Sequence, residues 1–81
     1  MASPSLSMQE TQHVLCEIWS GMFGIEVRPD DDFFDLGGNS LRVVDTVIAA
    51  RLRGISLRSS AVFRHPTPAR LARSLTADAA Q

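Results

Sequence analysis

The chain has 81 residues, 44% hydrophobic and 21% charged, with a formal net charge of −1, a composition that fits one small globular domain. At this size only about 60% of the unfolded surface is buried on folding, which excludes a deep cleft between two lobes and with it a large self-contained enzyme. Eight basic residues, all arginine, against nine acids leave no excess for a nucleic-acid backbone and no lysine for a Walker loop or a Schiff base.

Residues 1–7 are small and polar around Pro4 and are expected to form a disordered leader; they lack the charged start and apolar stretch of a signal peptide. Ser7 with Glu10 reads as a capping box that opens the first helix. Behind it Val14, Leu15, Ile18, Trp19 and Met22 recur at the spacing of one buried helical stripe, and Gly24 supplies the stop. Cys16 is the only cysteine, so no intrachain disulfide framework exists, and with two distant histidines, His13 and His65, a four-ligand zinc site is excluded. From Ile25 to Asn39 the periodicity disappears, and Pro29, the aspartates at 30 to 32 and Gly37-Gly38 mark a long loop. Such a loop is functional or disordered, and Val27, Phe33, Phe34 and Leu36 predict an ordered one pinned to the core.

A second helix is predicted from Ser40 to Arg53, ended by Gly54, with apolar residues on two faces. Val43, Val47 and Ala50 form one stripe, while Leu41, Val44, Ile48 and Leu52 form another that points largely the opposite way. A small core can take only one of them, so the second is expected to be exposed for a partner. Ile55 to Ser60 is a connection, and Ala61 to Phe63 make a short packing turn closed by Pro66. Thr67 followed by Pro68 caps a last helix in which Leu71, Ala72 and Leu75 share a face, and residues 77–81 are expected to fray. No segment alternates as a strand does, and no apolar run approaches the roughly 20 residues of a membrane span. The reading is an all-α, small four-helix bundle: three main helices, one short helix, and a long loop between helices 1 and 2. We expect it to be soluble and cytoplasmic, with neither nucleic acid nor membrane as a partner.

Two chemistries fail on spacing. A calcium loop starting at Asp30 needs Gly at its sixth place and Glu at its twelfth, where this chain has Asp35 and Leu41. A hydrolase elbow around Ser40 needs Gly two residues on, where Arg42 stands, and neither histidine has sequence support for reaching Ser40 as a base. Ser40 reads better as a substrate for modification. Gly37 and Gly38 clear space around its hydroxyl, and a helix N-terminus favours the negative charge of a phosphate ester. The competing role for Ser40 is that of an ordinary helix cap.

The run Asp32-Phe33-Phe34-Asp35-Leu36-Gly37-Gly38-Asn39-Ser40-Leu41 resembles the attachment motif of phosphopantetheine-dependent carrier proteins, closest to the peptidyl carrier (thiolation) type of nonribosomal peptide synthesis. The segment Phe63-Arg64-His65-Pro66-Thr67-Pro68 with Leu71 resembles the third and fourth helix region of the same family, so the likeness spans residues 8–76. The resemblance implies that Ser40 accepts 4′-phosphopantetheine from coenzyme A through a separate phosphopantetheinyl transferase, supported by Asp35, Leu36, Gly37, Gly38 and Asn39. The arm's thiol would hold an aminoacyl or peptidyl group as a thioester for adenylation, condensation or tailoring enzymes, and the carrier would itself catalyse nothing. It further implies that partners dock on the second helix through Leu41, Arg42, Val44 and Ile48, leaving Val43 and Val47 in the core.

Fatty-acid carriers usually have Asp before the serine and an acidic second helix; here Asn39 precedes it, and Arg42, Arg51 and Arg53 outnumber Asp45. The alternatives are an acyl carrier of polyketide or fatty-acid type and, from another class, a helical adaptor that binds partners through the exposed stripe without a prosthetic group. A monomeric, free-standing carrier of natural-product biosynthesis is the expectation.

Overall fold

The computed structural model describes residues 7–79, and among them the backbone forms four helices and no strand. They are α1 (Met8–Phe23), α2 (Ser40–Leu52), α3 (Ser59–Arg64) and α4 (Pro68–Ala79). Residues 1–6 of the expected leader and the last two residues of the expected fraying tail lie outside the described residues. Over 77–79, where fraying was expected, the backbone is helical.

The starts of α1, α2 and α4 follow from local hydrogen-bonding devices, whereas α3 begins at Ser59 without a side-chain cap. The Ser7 hydroxyl accepts from the Glu10 N–H at 3.1 Å while the Glu10 carboxylate accepts from the Ser7 N–H at 2.9 Å, so the capping box is complete. Gly24 ends α1 in the left-handed region at φ 72°, donating its N–H to the Ser20 carbonyl. At the other end of the chain the Thr67 hydroxyl accepts from the Arg70 N–H at 3.1 Å, with Pro68 in the first helical position, where its missing donor costs nothing. The second helix stops at Leu52, one residue short of expectation, with Arg53 as its C-cap and Gly54 at φ 85°.

The core forms where α1 packs against both α4 and α2, with α3 closing the gap between α2 and α4. Val14, Leu15 and Trp19 of the predicted α1 stripe are buried, and Ile18 and Met22 pack against them. From α4 come Leu71 and Ala72, with Leu75 beside them. Ile55 and Leu57, read from sequence as mere connection, are also buried. That connection is two residues shorter than expected, because α3 already begins at Ser59. Within α3, Val62 is fully buried, whereas Phe63, 49% exposed, packs outside the buried core by stacking on Phe34.

The loop between α1 and α2 is tied down at several points, as expected of an ordered loop. The Ser20 hydroxyl accepts from the Val27 N–H at 2.9 Å, the Pro29 carbonyl accepts from the Ala69 N–H at 3.0 Å, and the Phe33 N–H donates to the Pro66 carbonyl at 2.7 Å. Phe33 is fully buried, with its ring centroid 4.8 Å from that of Trp19 and 5.5 Å from that of Phe23.

Candidate functional site

The site is built from the end of this loop upward. The aspartates there shape the backbone: an Asp31 carboxylate oxygen accepts from the Arg28 N–H at 2.8 Å, and Asp32 Oδ1 accepts from the N–H groups of Phe34, at 2.8 Å, and Asp35, at 3.2 Å. Asp32 thereby starts a tight turn continued by Leu36 N–H to the Asp32 carbonyl and Gly37 N–H to the Phe34 carbonyl. Gly37 sits at φ 109°, a conformation that favours glycine. Gly38 has a different reason. A Cβ there would collide with the Phe33 ring and stand 2.7 Å from the Phe33 carbonyl, so this glycine lets the turn close over the buried ring. The sequence suggested that it cleared space around Ser40.

Asn39 is extended, at φ −149°, and its side-chain oxygen accepts from the Arg42 N–H at 3.0 Å. It is therefore Asn39 that caps α2. Ser40 is the first helical residue, exposed, with its hydroxyl outside the capping arrangement. The competing role for Ser40, an ordinary cap, is filled by its neighbour.

The other expected site residues divide by position. Asp35 is exposed on the turn, and Leu36 is partly buried against the core. Along α2, Leu41 is 71% exposed, Val44 48%, Ile48 56% and Leu52 81%, while Val43 and Ala50 are buried and Val47 is partly so. Both apolar faces of the helix thus lie where the sequence put them. Exposed Arg42 forms an ion pair with Asp45 at 3.3 Å.

Sequence reasoning missed three contributors. The first is the turn-forming carboxylate of Asp32, for which an Asp followed by a compact turn was the available signal. The second is Thr46, fully buried on α2, whose hydroxyl accepts from the Trp19 indole N–H at 3.1 Å and donates to the Arg42 carbonyl at 2.8 Å. This bond orients α2 against α1. The third is the contact between Phe63 and Phe34, stacked with centroids 5.4 Å apart: the sequence read Phe63 as a packing residue but did not give its partner.

A four-helix bundle with a buttressed loop and an exposed, uncommitted serine at the head of its second helix is the architecture of a carrier domain. The sequence pattern of the phosphopantetheine attachment site matches residues 13–75, and the chain belongs to that family, as a peptidyl carrier domain of the nonribosomal type. It is similar to tyrocidine synthase 3 of Brevibacillus parabrevis, 44% identical over 69 residues that make up 83% of this chain and 1% of that protein. Among solved structures it resembles a non-ribosomal PCP domain, with TM-score 0.76 and 35% identity over 90% of this chain and 92% of the other. A thiolation-reductase di-domain from an archaeal non-ribosomal peptide synthetase superposes with TM-score 0.77 and 34% identity, over 93% of this chain and 16% of that one. The chain spans a few per cent of the length of the curated relatives it matches.

The family's prosthetic group is 4′-phosphopantetheine. The residues fit it: an exposed hydroxyl that the helix does not need stands at a helix start, where backbone N–H groups and the positive dipole end favour an attached phosphodiester.

Proposed function

We propose that Ser40 is the attachment residue for 4′-phosphopantetheine, transferred from coenzyme A by a separate phosphopantetheinyl transferase. The observation that carries this reading is the division of labour at the head of α2, where Asn39 caps and Ser40 stands exposed beside it. When bound, the group supplies a terminal thiol that holds an aminoacyl or peptidyl chain as a thioester. The protein's own residues present that arm. Asp32, Gly37 and Gly38 fold the turn over Phe33, and Asn39 and Thr46 fix the start and the seat of α2.

On this reading the chain catalyses nothing itself and serves adenylation, condensation or tailoring enzymes as a monomer. Asn39 before the serine and the arginines of α2 favour peptidyl over fatty-acyl cargo. We place it in the cytoplasm. Among the described residues no helix is long and apolar enough to cross a membrane. Burial pushes the Cys16 thiol pKa upward, and the negative charge of Asp31 adds to the effect, so less of it is thiolate than for a free cysteine.

Intact-protein mass spectrometry after incubation with coenzyme A and a broad-specificity transferase tests the proposal. The wild type should gain one phosphopantetheine and Ser40→Ala none. Folded wild-type protein that gains nothing would sink the reading and leave an adaptor acting through the α2 stripe.

A further inference from the structure

The net charge of −1 conceals a division along the chain. Seven of the nine acids lie at or before Asp35, on α1 and the long loop, while seven of the eight arginines lie at or after Arg42. Asp45 is the only acid between Arg42 and Thr76. Two of these arginines are neutralised locally, Arg42 by Asp45 at 3.3 Å and Arg53 by Glu17 at 2.7 Å. Arg51, Arg58 and Arg64 are exposed and enter no ion pair among the described residues. Arg51 follows Val44 by seven positions, which brings the two within about 20° of each other around α2 and sets the guanidinium at the border of the exposed stripe. Arg58 is the N-cap of α3 and Arg64 its last residue, and α3 packs on α2.

We propose that the α2–α3 face docks on a partner protein surface with an apolar centre rimmed by carboxylates. The inference deepens the carrier reading and rests on it, since a carrier must be received by enzymes through the region around its arm. The exposed side chains Leu41, Val44, Ile48 and Leu52 gain affinity when an apolar surface covers them. The same contact desolvates the Arg51 guanidinium at the border of the stripe, and those of Arg58 and Arg64 where it extends onto α3, which is unfavourable unless carboxylates meet them. A basic rim is therefore rejected, and an acidic one accelerates encounter.

The probe is a pair of synthetic amphipathic helical peptides with one leucine face in common, flanked by glutamates in one and by lysines in the other. They are titrated into the isotope-labelled full chain. The glutamate peptide should bind at least about tenfold more tightly at low salt, weaken as salt is raised, and perturb the amides of Val44, Ile48 and Leu52. Replacing Arg51, Arg58 and Arg64 together by glutamate should reverse the preference, and Val44→Asp, its fold checked by circular dichroism, should weaken both peptides. Equal affinities, or preference for the lysine peptide, would overturn the proposal. So would salt-sensitive self-association in sedimentation that hides the stripe, because the occupant would then be a second copy of this chain. Transferase loading of Ser40 on the same preparation keeps the two readings apart. Loading without peptide preference overturns the charge assignment alone, and preference without loading overturns the carrier reading while the acidic-partner chemistry stands.

Discussion

At the head of α2 two neighbouring residues with similar helix-capping ability have been given different work. Asn39→Ala should cost about 1 kcal/mol, because the Arg42 N–H loses its acceptor, whereas Ser40→Ala should leave the urea midpoint essentially unmoved. A larger loss at Ser40 than at Asn39 would show that the cap had been assigned to the wrong residue. One position earlier the constraint is steric. Gly38→Ala drives a methyl group toward the Phe33 ring and should cost about 1–3 kcal/mol in the same measurement; a neutral substitution would mean that the turn can lift off the ring cheaply. Neither assignment was legible beforehand. Asn and Ser both serve as caps, so local sequence does not choose between them, and the need for glycine at 38 comes from a ring brought beneath it by the fold.

At the scale of elements the helices were legible because their ends are written in short-range chemistry: Ser7 with Glu10, Gly24, Gly54, and Thr67 with Pro68. The two faces of α2 followed from periodicity alone. Thr46 did not, since a threonine reads as a surface residue until its hydroxyl meets the Trp19 indole. Two carboxylates make α1 sensitive to acid. Bonding from the Ser7 backbone and hydroxyl holds Glu10 below the ordinary range, and hydrogen bonding from Arg53, then the charge of His13, does the same for Glu17. A lowered carboxylate pKa means stabilisation fully present above the unfolded value, about 4.3, and lost as pH falls through the folded one. Glu17→Gln should therefore flatten the acid limb of a plot of Tm against pH. An unchanged limb would show that Glu17 and Arg53 contribute nothing in solution, as exposed pairs sometimes do.

For the whole molecule, what the sequence withheld was long-range. It predicted an ordered loop but not its hydrogen bonds to Pro66 and Ala69, and it treated Ile55 and Leu57 as linker although both are buried. Such roles depend on segments far apart in the chain meeting, and periodicity does not report on them. Trp19 is where most of these segments converge: fully buried on α1, hydrogen-bonded to α2, and packed on the loop through Phe33. Trp19→Ala should cost about 3–5 kcal/mol in urea unfolding, and a loss below about 1 kcal/mol would remove it from the centre of the core. The protein has one tryptophan and no tyrosine. Its near-ultraviolet emission consequently comes from a single indole seated between the helix that bears Ser40 and the ring that supports it. That makes the molecule its own optical gauge: docking by an enzyme that lacks tryptophan leaves the emission maximum in place if the carrier binds as a rigid body, and shifts it if α2 moves against α1.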